Sequence, residues 1–303
     1  MTRTIWLASY PKSGNTWFRI LVANLSAKDG KPANINDLPE RSGIASARIL
    51  FDYLSLIDSD LLTHDEIDCL RPRVYENLAS GALDDEHDKL EEIQPVRFVK
   101  VHDAYTLTRK GEPLLAGRRG ADGAILIVRD PRDVAPSLAN HNRGSIDEAI
   151  RFMCDAAAAF CGTSRRLHNQ LRQQLPGWSG WMESWLGQSD IPVHLIRYED
   201  MKADTLGTFR RALDFAGRMA SDEDIRRAVA FADFAELRRQ EEENGFHEAP
   251  SDPGGKFFRR GKAGAWRDEL TAEQVGRIED AHAPMMRRLG YELASDALLA
   301  RAG

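Results

Sequence analysis

A chain of 303 residues suits one large α/β domain or two modest ones. With 42% hydrophobic and 29% charged residues it is ordinary for a globular protein, and a net charge of −6 argues against a general binder of nucleic acid or of a membrane surface, so a basic site has to be local. Cys69, Cys154 and Cys161 lack metal-ligand spacing and cannot all pair among themselves, no apolar run reaches membrane-spanning length, and Met1-Thr2-Arg3-Thr4 leads into a strand rather than a signal peptide; together these predict a cytoplasmic protein with reduced thiols, no metal and no membrane span.

In chain order, residues 4–9 read as a strand, followed by the loop Tyr10-Pro11-Lys12-Ser13-Gly14 and a helix over 15–28. Residues 28–41, with Gly30, Pro32, Asn34, Asn36 and Pro39, read as a loop. Further strands are predicted at 96–102, 123–129 and 192–197. Ser145-Ile146-Asp147-Glu148 is a capping-box signature that opens a long helix to about Gln174. Helices follow over 206–216, from Ser221, and from Thr271 to near Gly290, with a short amphipathic segment at 234–237. Residues 242–264 hold five glycines, Pro250 and Pro253, and end in Lys256-Phe257-Phe258-Arg259-Arg260-Gly261-Lys262. So long a loop, ending in that cationic run, predicts a lid that closes on an anion, the alternative being a solvated surface loop with incidental charge. Strands alternating with helices imply a single α/β domain over 1–303, with a central, mostly parallel sheet flanked by helices.

A strand, a tight Gly-containing loop and a helix start aim backbone N–H groups and a helix dipole at one point, so residues 10–17 are built to hold a phosphate-like anion. Gly14 permits close approach, Lys12 adds positive charge, and Ser13 and Thr16 add hydroxyls. The loop lacks GxxxxGK[ST], and no GxGxxG, HExxH or GxSxG is present. Ligands of parallel sheets sit at the carboxyl ends of strands. Three further groups fall there: Lys100-Val101-His102-Asp103, Arg129-Asp130-Pro131-Arg132-Asp133, and Arg197-Tyr198-Glu199-Asp200. His102 can act as a general base. Asp103 belongs to the opposite face of the strand and is not expected to orient the imidazole. Arg129 can fork onto a phosphate, with Ser137 meeting it if the turn folds back; taken alone, Arg129 reads rather as a salt-bridged strand end and Ser137 as an ordinary helical serine. Trp17 and Phe234 can sandwich a base or simply pack in the core.

Taken together, these motifs resemble the cytosolic-type sulfotransferases that use 3′-phosphoadenosine 5′-phosphosulfate (PAPS), and the chain is identified as a bacterial member of that family, with its P-loop-like fold. The resemblance runs from Ile5 to about Tyr291. Residues 10–17 are similar to the family's YPKSGTTW loop, with Asn15 for Thr; Lys100-Val101-His102 is similar to its KTH; residues 127–137 are similar to its 3′-phosphate segment, Tyr198-Glu199-Asp200-Met201 to its YEDM, and residues 258–266 to its RKGxxGDW, with Arg260 for Lys and Ala265 for Asp. The dimer motif of the animal enzymes is not recognisable in 267–276, so their dimer is not carried over.

The resemblance implies transfer of a sulfuryl group from PAPS to a hydroxyl or amine of a small-molecule acceptor, leaving 3′-phosphoadenosine 5′-phosphate (PAP). Lys12, Lys100 and His102 would be catalytic, with His102 the base and the two lysines stabilising the transferring group. The backbone of Ser13, Gly14, Asn15, Thr16 and Trp17 would hold the 5′-phosphate. Arg129, Ser137, Arg259 and Arg260, with Gly261 in the same segment, would hold the 3′-phosphate. Trp17, Tyr198, Phe234 and Leu237 would contact adenine. Phe51, Tyr53, Tyr105, His141, Phe246 and Phe257 are candidates for a partly apolar acceptor site. The alternatives are a nucleotide-dependent kinase with a variant phosphate loop and a catalytically inactive nucleotide-binding relative.

Overall fold

The computed structural model describes residues 2–27, 30–38, 43–81, 96–163, 168–249, 255–294 and 296. Residues 28, 29, 39–41 and 250–254, parts of the two expected loops, lie outside them, as do Pro39, Pro250 and Pro253. Strand β1 is Arg3–Ser9, followed by helices α1 (Asn15–Leu25), α2 (Arg48–Ser55) and α3 (His64–Ala79). Next come β2 (Val96–Val101), β3 (Gly123–Val128), α4 (Pro131–Asn142) and α5 (Ile146–Cys154). A two-stranded hairpin of β4 (Ala159–Phe160) and β5 (Gln173–Gln174) precedes α6 (Gly177–Gly187) and β6 (Val193–Arg197). Then follow α7 (Tyr198–Ala203), α8 (Thr205–Ala216), α9 (Asp222–Phe231), α10 (Phe234–Asn244) and α11 (Ala272–Arg288).

The main sheet is parallel throughout, in the order β2-β1-β3-β6. Ile5 is opposite Phe98 on one side and Gly123 on the other, and Ala124 is opposite Val193. β1 and β3 read as unbroken apolar runs because helices cover both faces. Trp6, Ala8, Val99, Val101, Ala124, Leu126 and Val128 pack on one side against residues of α3, α4, α5, α6 and α11. Ile5, Leu7, Phe98, Ile125, Ile127 and Ile196 pack on the other against α1, α8, α9 and α10. This α/β architecture is the one expected from the alternation of strands and helices. The chain leaves β1 for β2 on one side and returns to β3 on the other, which opens a crevice at the carboxyl ends of these strands.

The predicted strands and helix starts hold to within a residue, but α1 stops at Leu25 rather than at 28, α2, α3 and α6 are unexpected, and two further stretches differ. The helix from Ser145 does not reach Gln174: α5 has the expected capping box, then stops at Cys154. The Asp155 carboxylate accepts the Ala157 N–H (2.8 Å), a turn that competes with continuing the helix. The chain then forms β4, paired with β5, instead. The loop expected from residue 242 begins at Gly245, because α10 runs to Asn244. Its far arm is held at two points. Glu241 accepts the N–H groups of Phe257 (2.6 Å) and Phe258 (3.0 Å), and Asp133 accepts those of Gly264 (2.6 Å) and Trp266 (2.8 Å).

Candidate active site

The loop after β1 bends through two left-handed residues, Lys12 (φ 70°) and Gly14 (φ 106°), and Gly14 caps α1. A Cβ on Gly14 would lie 2.7 Å from the Tyr198 ring, so only glycine fits. The helix starting at Asn15 leaves the N–H groups of Asn15, Thr16 and Trp17 without a helical acceptor, at the positive end of the helix dipole. Ser13 departs from expectation: its N–H donates to Tyr10 O (3.3 Å), and its buried side chain is not part of the cavity wall. Asn15 turns its side chain under the loop, with Nδ2 donating to Leu7 O (2.9 Å) and Ser9 Oγ (3.2 Å). Its role is to pin the loop to the strand.

His102 sits one residue beyond β2. The indoles of Trp181 and Trp185 on α6 donate to the backbone carbonyls of His102 (2.8 Å) and Asp103 (3.1 Å) and fix this strand end. His102 Nδ1 lies 2.7 Å from Ser9 O. A carbonyl can only accept, so Nδ1 carries the proton and Nε2 keeps its lone pair. Burial, then the Lys100 charge, pushes the imidazole down to about 3, so it is neutral across the physiological range. Asp103 faces away from it, paired with buried Arg71 at 2.6 and 3.0 Å. Burial, reinforced by Lys100, lowers Lys12 to about 7, and its ammonium rests 3.9 Å from the centre of the Phe257 ring.

The two strand ends and the loop meet in a cavity of about 430 Å³. Arg129, Ser137, Arg259, Arg260 and Gly261 form part of its wall. Arg129 donates to Lys12 O (3.3 Å) and Lys262 O (3.1 Å), lies 4.4 Å from the Tyr198 ring centre, and keeps a buried Nε with no partner. Arg259 and Arg260 both pair with Glu269. Gly261 has φ 61°, and a Cβ there would strike the Phe234 ring at 2.4 Å. Trp17, Tyr198, Phe234 and Leu237 also line the cavity. Trp17 is edge-on to Tyr198, its Nε1 donates to Ala232 O (3.0 Å), and the Lys202 ammonium lies 4.8 Å from its ring centre. Ala265 also lines the wall, and Asp133 ties the backbone on either side of it.

Of the sequence-predicted site residues, all but Ser13 line this one cavity. The acceptor candidates divide. His141 and Phe257 line it, whereas Phe51 is buried in the core, Tyr53 is exposed, Tyr105 bonds Asp190 and packs on Trp185, and Phe246 packs against Phe257 and Phe258. Sequence reasoning missed Ile44, Phe160, Gln170 and Gln173, which line the cavity, and it missed Arg19, Lys202, Glu248 and Glu269. Arg19 had a signal, since it lies one turn beyond Thr16 on the same helix face. Glu248 had none, because a loop carboxylate carries no periodicity that would place it.

The family model "Sulfotransferase domain" matches residues 2–290. The chain belongs to this family. Its similar relatives include cytosolic sulfotransferase 17 of Arabidopsis thaliana, 23% identical over 94% of this chain and 75% of the relative. Flavonol 3-sulfotransferase of Flaveria bidentis is 24% identical over 91% and 79%. In fold, the chain is similar to mouse sulfotransferase SULT7A1 complexed with PAP, with a TM-score of 0.56 and 18% identity over 94% of this chain and 84% of that one. It is also similar to retinol dehydratase in complex with androsterone and inactive cofactor PAP, with a TM-score of 0.54 and 22% identity over 96% and 82%. The expected fold and family are therefore established, and the activity of the family is that of a sulfotransferase.

Proposed function

We propose that this sulfotransferase moves a sulfuryl group from PAPS to a hydroxyl or amine of a small, partly apolar acceptor, with His102 as the base. The observation that carries this reading is the His102 Nδ1 contact with Ser9 O, which leaves the Nε2 lone pair free, in a cavity also lined by Lys12, Lys100 and three guanidinium groups. The donor fits the residues present. Arg129 keeps an orphaned buried Nε, Gly14 and Gly261 leave space that a side chain would fill, and aromatic rings lie between two cationic ends. The PAP named in the two similar structures supports the same assignment.

When bound, PAPS supplies the SO₃ group and departs as PAP. The first-turn N–H groups from Asn15 to Trp17, with Gly14, would hold the 5′-phosphate. Arg129, Ser137, Arg259 and Arg260 would hold the 3′-phosphate, and Trp17, Tyr198, Phe234 and Leu237 the adenine. His102 Nε2 takes the acceptor proton as the acceptor oxygen or nitrogen approaches sulfur. Lys12 and Lys100 stabilise the negative charge that grows on the sulfuryl and leaving oxygens. Ile44, Phe160 and Phe257 give the acceptor side an apolar wall. The arm 255–264 acts as the lid, and the protein works in the cytoplasm; among the described residues no helix is long and apolar enough to cross a membrane.

Thermal unfolding with PAP, ADP and ATP–Mg²⁺ tests the donor assignment. A ligand at about 100 times its dissociation constant adds roughly 2.7 kcal/mol of stability. PAP alone should raise Tm; a rise with ATP–Mg²⁺ alone would replace the reading with a kinase. A sulfate-transfer screen against alcohols, phenols and amines then separates an active enzyme from an inactive relative.

A further inference from the structure

Three cationic or hydroxyl donors from three positions converge on one carboxylate inside the cavity. Thr16 Oγ1 donates to Glu248 at 2.9 Å, Arg19 pairs with it from the next turn of α1, and Lys100 Nζ lies 3.2 Å away at the end of β2. Thr16 belongs to the helix start that faces the anion site, and Lys100 is one of the two lysines assigned to the sulfuryl group. Glu248 therefore holds the Thr16 hydroxyl at that helix start and one of the two lysines proposed for the sulfuryl group. Two anions at this range repel and draw on the same cations, so the carboxylate and a 5′ anion compete.

We propose that Glu248 is a built-in competitor for the 5′ end of the donor, which sets the affinity that any anion must exceed to enter there. The inference rests on the nucleotide reading above and adds a residue that reading does not use. Burial alone would raise the Glu248 carboxylate, but Lys100 and Arg19 outweigh it and hold the group far below the ordinary range, so it stays a full anion at every working pH. The competition is intramolecular, so its cost is the same for every ligand that puts an anion at the helix start. A ligand gripped by Arg129, Arg259 and Arg260 as well has binding energy to spare against that cost. A ligand with a 5′ anion alone, such as AMP or inorganic phosphate, does not. A ligand that uses the far end alone never meets Glu248.

That pattern is the test. Dissociation constants of PAP, AMP and adenosine 3′-phosphate are measured calorimetrically on wild type, on the near-isosteric Glu248→Gln and on Glu248→Ala. PAP and AMP should tighten by one common factor of about tenfold or more in the variants, as expected for release of a charge-assisted contact. Adenosine 3′-phosphate should stay within about twofold, since it leaves the contact in place. Equal changes for all three ligands, or no tightening of PAP and AMP, would overturn the proposal and leave Glu248 a structural tether. Wild type binding no PAP at all would instead overturn the nucleotide reading. Independently of any variant, a wild-type complex with PAP should show the Glu248 carboxylate away from Thr16; a complex that keeps the 2.9 Å contact sinks the inference.

Discussion

The two ends of the catalytic cavity are built by different means. Most residues proposed for the donor stand at or near the termini of regular elements (the loop after β1, the first turn of α1, the residue after β3, the inner face of α4), with Arg259 and Arg260 added from the irregular arm 255–264. The acceptor end is made from short or irregular pieces. Ile44 bridges to Lys100, Phe160 and Gln173 belong to two-residue strands, and Gln170 pairs its amide with Gln173 at 2.7 Å. Positions locked by a buried parallel sheet can hold one demanding geometry, whereas chain segments outside it can vary without disturbing the core. The contrast fits the proposed division, with donor recognition resting mainly on the first group and acceptor choice on the second.

The largest expected effect breaks the link between the two ends. His102→Ala should lower kcat by about 10²–10⁴-fold while PAP still binds, because the base touches the acceptor and not the nucleotide. Loss of PAP binding in the same variant would move His102 to the donor end. Lys12→Ala should cost about 10²–10³-fold in kcat and also weaken PAP, since its charge serves both ground and transition states. A smaller effect comes from pH. Lys12 stands at about 7, and a bound phosphate raises it, so binding takes up a proton. PAP affinity should then be complete below about pH 7 and fall by up to about tenfold per pH step above it, with matching proton uptake in calorimetry across buffers. The mildest change sharpens the acceptor side. Gln173 is buried and its Oε1 has no partner, so Gln173→Leu should shift acceptor KM severalfold, leaving the PAP dissociation constant unchanged. A change in PAP affinity there would mean that the two ends are not separable.

Legibility in the sequence follows the same division. β1 and β3 were readable because burial on both faces forces unbroken apolar runs, and the helix starts at Ser145 and Thr271 because their capping boxes are local. The anion loop, His102 and Arg129 could be located because strand ends in such a sheet share one crevice. The stretch after Cys154 was misread because its alanines favour a helix, while Asp155 and the pairing of Ala159 with Gln174 end it. Ser13 was misplaced because backbone curvature, rather than residue type, decides which way that hydroxyl turns. The contacts of Glu248 join residues 148 and 232 positions apart, a juxtaposition that tertiary packing alone creates.

Glu248 and Glu269 also shape the electric field outside the molecule. Each neutralises cations that line the cavity, so less of their positive charge acts on the surroundings of a chain whose net charge is −6. A polyanionic nucleotide thus approaches against a like-signed field and meets attraction only at the mouth. Added salt, which shrinks the reach of that field to about 10 Å at 0.1 M, should speed the encounter.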